Sequence, residues 1–283
     1  MIVRDATRWR ARKPVMTEPI KTEVVYETIE HVALRLHVFK SSVPSSQDES
    51  APVMVIFHGG GWVAGRPEQF FPLARHFALD GFVTVCADYR VRNVHGTSPF
   101  ESMTDARSAI RWVRQHAEAL QVDPNRLIAV GGSAGGHLAL CAAVFPHPEE
   151  EQATSFSCIP NGLILFNPVV DTTSLGFGEQ AFAGRSMEAS PVHHIRCGLP
   201  DTLILHGTED TIVPIENVRR LDAEMTSHGN RCLLVEYPGQ IHGFFNYRNG
   251  DNSYYTVTLE QAGKFARQVT DRLSEKREHE IGK

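Results

Sequence analysis

The chain has 283 residues, 42% of them hydrophobic, enough to bury one large α/β core; no fixed-period repeat or low-complexity linker divides it, so 1–283 reads as a single domain. Its 28 Lys and Arg against 33 Asp and Glu give a net charge of −5 with both signs interspersed, which excludes the basic field of a nucleic-acid binder and the polybasic cluster of an anionic-lipid binder. Five cysteines, an odd number without C-x-x-C spacing, argue against a disulfide framework or a zinc knuckle and make the cytoplasm the default location.

The first residues carry Arg4, Arg8, Arg10, Arg12 and Lys13, but no apolar segment follows before Pro14 and Glu18, so 1–22 reads as an N-terminal arm and not as a secretion signal. No apolar run is long enough to span a bilayer, so no membrane partner is expected. Val24 to Ile29 and Val32 to Phe39 read as an antiparallel strand pair, the second alternating Val32, Leu34, Leu36 and Val38 with more polar neighbours. Ser41 to Pro52 is a polar loop rich in serine and proline.

Val53 to Phe57 and Phe82 to Ala87 are short continuous apolar runs, the pattern of parallel strands covered on both faces. Between them Phe70, Leu73, Ala74, Phe77 and Ala78 keep a helical stripe. Directly after the first run comes His58-Gly59-Gly60-Gly61-Trp62. Backbone without Cβ atoms can approach a substrate closely, so Gly60 and Gly61 are assigned as N–H donors to a developing oxyanion. His58 reads as a brace for that loop, and Trp62 as a wall of the acyl or alcohol pocket or as plain packing.

The alternation continues with a helix face of Met103, Ala106, Ile110, Val113, Ala117 and Leu120, a strand Leu127 to Val130, and a helix Ala134 to Val144. Asp88-Tyr89-Arg90 and Asp105 read as loop braces, and Asp123-Pro124 as a helix-terminus turn. Between the last strand and helix lies Gly131-Gly132-Ser133-Ala134-Gly135, a G-x-S-x-G turn tight enough to strain the serine backbone and lift its hydroxyl clear of the sheet. The Ala134 N–H, unpaired at a helix start, joins the oxyanion donors.

Leu163 to Phe166, Thr202 to Leu205 and Cys232 to Tyr237 continue the strands, with Val218, Leu221 and Met225 on one intervening helix. Asp171 to Arg196 shows no clear core element and falls at the ligand-binding edge of the sheet, where it forms either a small lid or a surface excursion. A final helix carries Tyr255, Leu259, Ala262, Ala266, Val269 and Leu273, then a charged tail, Ser274 to Glu280. The whole rhythm predicts a doubly wound, mainly parallel sheet with helices on both faces.

A serine nucleophile needs a base and a carboxylate, in chain order serine, acid, histidine. His242, in the loop after the last strand, is the base candidate among fourteen histidines; His206 and His228 read as structural. Asp210 follows the strand Thr202 to Leu205 and is the acid candidate, with a helix-capping role as its alternative and Glu209 and Asp171 as rivals.

Taken together, His58-Gly59-Gly60-Gly61-Trp62, Asp88-Tyr89-Arg90, Gly131 to His137, His206 to Asp210 with Val213-Pro214, and His242-Gly243-Phe244 resemble the α/β-hydrolase superfamily from about Val32 to Val269. Within it they are similar to esterases related to hormone-sensitive lipase and to bacterial acetyl and feruloyl esterases. The resemblance implies an α/β-hydrolase fold, a triad of Ser133, Asp210 and His242, oxyanion donors Gly60, Gly61 and Ala134, and acyl-enzyme chemistry that needs no metal or organic cofactor. Hormone-sensitive-lipase-like enzymes commonly carry an acidic residue before the serine and a long N-terminal cap; here Gly132 stands there and few residues precede the first strand. That departure implies small-molecule esters with short acyl groups, including acetylated or feruloylated carbohydrates. The alternatives are a serine amidase or peptidase of the same fold and a catalytically silent binding protein; the oligomeric state is open.

Overall fold

The apolar alternation at the start of the chain folds as a two-stranded antiparallel ribbon, β1 (Ile20–Ile29) and β2 (Val32–Lys40), whose inward side chains Leu34, Leu36 and Val38 are buried. In this computed structural model, which describes residues 18–42, 50–145 and 156–281, the arginines of the N-terminal arm and most of the Ser41–Pro52 loop lie outside the described residues. The continuous apolar runs become β3 (Ala51–Phe57) and β4 (Val83–Ala87), with every residue of β4 buried. Four further strands, β5 (Val122–Gly132), β6 (Gly162–Phe166), β7 (Asp201–Gly207) and β8 (Cys232–Tyr237), complete one eight-stranded sheet of order β1-β2-β4-β3-β5-β6-β7-β8. From β4 to β8 all neighbours are parallel, and β2 joins β4 antiparallel.

Strands buried on both faces require helices on both sides. One side is covered by α1 (Phe71–Leu79) and, from the far end of the chain, α7 (Ser253–Ile281), packing Phe77, Leu259 and Phe265 on Ile56, Val130 and Ile164. The other carries α3 (Pro99–Gln115), α5 (Ala134–Val144) and α6 (Ile215–Ser227), over Val55, Ala129 and Leu165. Two single-turn helices, α2 (Arg92–His95) and α4 (Ala117–Leu120), flank α3. This is the doubly wound arrangement that the sequence rhythm predicts. Every residue of α5 is buried, so its lack of an amphipathic stripe is what a central helix requires. Among the described residues no helix is long and apolar enough to cross a membrane.

One element differs from expectation. Asp123-Pro124 does not end a helix but lies at the start of β5, where the pairing with β3 slips between Ala51 and Val53. Asp123 Oδ1 accepts the Asn125 N–H at 2.9 Å, a side-chain turn that absorbs the irregularity. Proline lacks an N–H, so its presence in the strand is tolerated where the ladder is already broken.

The carboxyl edge of β5 sets the site, because chain turns there directly into α5. A Cβ on Gly135 would collide with the carbonyl oxygens of Phe57 and His58, so α5 approaches β3 only because that position is glycine. Gly135→Ala is expected to destabilise the fold by about 2–4 kcal/mol through overpacking against backbone that cannot yield, measured as a lower urea midpoint.

Candidate active site

Ser133 sits between β5 and α5 at φ 55°, ψ −120°, a conformation unfavourable for a residue with a side chain. Its N–H donates to Phe166 O at 2.9 Å, and its carbonyl accepts from His137 N and Val169 N. Bonds on both sides hold the strained turn. The hydroxyl is thereby presented to a loop after β8, where His242 Nε2 lies 3.0 Å from Ser133 Oγ.

His242 Nδ1 is 2.7 Å from Asp210 Oδ2. A carboxylate accepts, so Nδ1 carries the proton and Nε2 is left free to accept from the serine hydroxyl. Asp210 divides its two oxygens. Oδ1 accepts from Ile212 N and Val213 N, each at 2.9 Å, so the side chain also shapes the turn into α6. Oδ2 faces His242, with His206 Nε2 3.4 Å away. Burial alone would raise this carboxyl, but hydrogen bonds from His206, His242 and Val213 N–H outweigh it and hold Asp210 well below the usual carboxylate range.

The rival acids lie elsewhere. Glu209 is exposed, and Asp171 Oδ1 accepts from Thr173 N and Oγ1 while Oδ2 is 3.5 Å from Arg220. His206 donates to Val213 O at 2.9 Å behind Asp210, and His228 caps the end of α6 on the surface.

The glycine run approaches Ser133 from the end of β3. Gly60 has φ 127°, where a Cβ would strike the carbonyl of Ala64. The N–H of Gly59 is taken by Gln69 Oε1 at 2.7 Å, whereas those of Gly60, Gly61 and Ala134 meet no protein acceptor among the described residues. His58 steadies the loop: its Nδ1–H donates to Gly59 O at 2.7 Å, its ring stacks on Tyr89, and Tyr89 Oη donates to His58 O. Arg90 in turn makes a bidentate pair with buried Asp105.

Periodicity and motif spacing left several contributors unseen. Asn167, at the end of β6, accepts Gly243 N–H on Oδ1 at 3.2 Å and places Nδ2 3.4 Å from His242 Nε2. Gln69 Nε2 donates to Asn246 Oδ1 at 2.9 Å, and Asn246 Nδ2 donates to Gly243 O at 2.9 Å. Gly59 is thus tied through two side chains to the residue beside His242. No sequence signal marks these amides, because they meet only across 177 positions of chain.

A cleft of about 440 Å³ opens over Ser133 and His242, with apolar walls from Phe177, Ile212 and Phe245 and amide groups from Gln69, Asn167 and Asn246. Segment 171–196, which holds three short 3₁₀ turns, contributes Phe177 to its wall. Trp62 does not line this cleft. Its ring is 2% exposed, set edge-on to His137 and Phe182, because backbone turning at φ 60° sends it beneath that segment. Gly132, in front of the serine, leaves room for Phe245 and Phe70: a Cβ there would lie 2.6 Å from Phe245 Cζ. A larger residue at that position would require the Phe245 ring to shift.

The BD-FAE family matches residues 41–175. A probable carboxylic ester hydrolase, LipM of Mycobacterium tuberculosis, is 27% identical over 75% of this chain and 54% of its own length. The chain thus spans about half the length of the curated relatives it matches. Thermogutta terrifontis esterase 2, in a structure phosphorylated by paraoxon, superposes with TM-score 0.81 and 42% identity over 88% of this chain and 94% of that one. A propionate-bound structure of the same esterase superposes with TM-score 0.80 and 41% identity over 90% and 96% of the two chains. The chain belongs to the α/β-hydrolase family of esterases.

Burial pushes the imidazoles of His58 and His137 from 6.5 down to about 4. The unfolded chain therefore binds more protons than the fold between those values, so this contribution is complete above about pH 6.5 and is lost as pH falls toward 4, by on the order of 3 kcal/mol for each ring. Asp210 acts in the same direction lower down: its contribution is present above 3.8 and fades as pH falls through its depressed folded value. Urea midpoints should fall steeply from pH 7 to 4.5, and His137→Gln should flatten that slope.

Proposed function

We propose that the protein hydrolyses carboxylic esters of short acyl chains through an acyl-enzyme on Ser133. The observation that carries this reading is the unbroken hydrogen-bond chain from Ser133 Oγ through His242 to Asp210. Ser133 Oγ attacks the ester carbonyl carbon while its proton passes to His242 Nε2. Negative charge then develops on the carbonyl oxygen, facing the N–H groups of Gly60, Gly61 and Ala134. The tetrahedral species collapses by breaking the bond to the alcohol oxygen, which takes the proton from Nε2. Water, deprotonated by the same nitrogen, releases the acid and restores the serine. Asp210, kept ionised by its donors, stabilises the imidazolium formed in each half-reaction.

Short acyl groups are supported by the size of the cleft and by the apolar walls of Phe177, Ile212 and Phe245 that close around the serine. The propionate complex of the Thermogutta esterase supports the same acyl range. The amides of Gln69 and Asn246 at the cleft edge suit a hydroxylated alcohol such as a sugar.

Ser133→Ala should reduce turnover of 4-nitrophenyl acetate and propionate by about 10⁴-fold or more, and Asp210→Asn by roughly a thousandfold or more. Paraoxon should add one diethylphosphoryl group, located by peptide mass spectrometry on Ser133; wild-type hydrolysis by Ser133→Ala would refute the scheme. Gln69→Ala frees the Gly59 N–H and unties the two loops, so kcat should drop by about tenfold with KM little changed, measured on the same esters.

A further inference from the structure

Asn167 faces the imidazole of His242, and no step of the reaction above uses it. It is held from several sides. Its N–H donates to Leu205 O at 2.8 Å, and its neighbours grip the serine turn, Phe166 O accepting from Ser133 N and Val169 N donating to Ser133 O. The residue is fully buried, and its backbone lies at φ 33°, in the left-handed region that asparagine enters more readily than most residues with a side chain. A buried amide is costly unless its groups are used.

The two ends of the amide are used differently. Oδ1 accepts the Gly243 N–H at 3.2 Å, so the atom facing His242 Nε2 at 3.4 Å is the donor, Nδ2. A neutral imidazole offers one lone pair at Nε2, and the Ser133 hydroxyl, at 3.0 Å, is the nearer donor to it. Once Nε2 has taken the serine proton the relation reverses: N–H then faces N–H, and the amide offers the imidazolium no acceptor. We infer that Asn167 is a positioning residue for His242. It orients the ring through Gly243 and denies the imidazolium an acceptor away from the reaction, so the Nε2 proton is left to the leaving alcohol in acylation and to Ser133 Oγ in deacylation. The inference rests on the esterase reading above and extends it to the control of the proton. Among the described residues only Ser133 and Asn167 bond to Nε2. The titratable groups around the ring are Asp210 at Nδ1, His206 3.4 Å from that carboxylate, the exposed Glu209, whose N–H donates to Gln240 O, and Arg248, which donates to Gly243 O at 3.0 Å. The cleft lining holds no titratable side chain besides His242.

Asn167→Asp tests this because it keeps an acceptor for the Gly243 N–H, suits the same backbone angle and exchanges only the group facing Nε2. A proton shared between the new carboxylate and Nε2 blocks the base whichever atom carries it, until the pH is high enough to remove it. The acid limb of kcat/KM for 4-nitrophenyl acetate should therefore move up by about one pH unit or more, with kcat at pH 7 down by about tenfold and recovering toward pH 9. Asn167→Gly, which suits a positive φ, removes both ends of the amide; kcat should fall by about tenfold with KM little changed. If Asn167 were only a packing residue, activity would fall with the urea midpoint and equally at every pH. An acid limb at the wild-type position in a folded Asn167→Asp, or a wild-type kcat in Asn167→Gly, overturns the proposal. Proton NMR of the low-field His242 Nδ1–H reads the same pair without turnover, and its titration should move to higher pH in Asn167→Asp. Wild-type protein that neither hydrolyses esters nor takes a phosphoryl group from paraoxon, with that shift retained in the variant, overturns the esterase reading instead.

Discussion

Ser133 is held at a backbone angle that its own side chain disfavours, and the surroundings of the turn are arranged to keep it there. Its N–H is bound to the end of β6, its carbonyl to α5 and to the segment leaving β6, and Gly135 permits contact with β3. Three adjacent strands therefore meet at one residue. Such strain costs on the order of 1–3 kcal/mol and persists only where packing over-determines it. The all-buried helix α5 and the rigid centre of the sheet supply that packing.

With the hydroxyl placed, the charge arrangement behind it follows from competition between burial and hydrogen bonding. Asp210 loses water, yet three N–H donors, those of Ile212, Val213 and His242, converge on its two oxygens with His206 Nε2 3.4 Å away, so ionisation is favoured. One oxygen builds the turn into α6 and the other orients His242. Shaping the turn and orienting the imidazole thus coexist in one side chain, because a carboxylate has two acceptors and the loop approaches from one side while the imidazole approaches from the other. In the proposed reaction, fixing the His242 tautomer is what leaves Nε2 able to take the serine proton.

The loop of Gly59 to Gly61 is steadied from both faces. His58, neutral because burial opposes its charge, fastens to Gly59 O beneath it, while Gln69 occupies the Gly59 N–H. The N–H groups of Gly60 and Gly61 remain without protein acceptors. Trp62 then turns under segment 171–196, and His137 Nε2 donates to Ala189 O at 2.7 Å from the helix below. That segment is pinned to α5 and to the loop by the same residues that frame the cleft.

Much of this was legible along the chain. Continuous apolar runs marked the buried parallel strands, alternation marked the β1–β2 ribbon, and glycines beside Ser133 marked a turn too tight for side chains; these are local consequences of backbone sterics and of which faces must be buried. Asp123-Pro124 misled because a side-chain turn at a strand irregularity has the same composition as one at a helix end. Trp62 resisted assignment because its direction depends on a positive φ, which no neighbour announces. The pairing of His242 with Ser133 across 109 positions, the amide bridge from Gln69 to Asn246 and the placement of Asn167 were decided only by tertiary structure. Residue order encodes the identity of each group and the element that carries it, but distances between groups on different elements arise from how strands twist and helices pack, and hydrogen bonds form or fail on those distances.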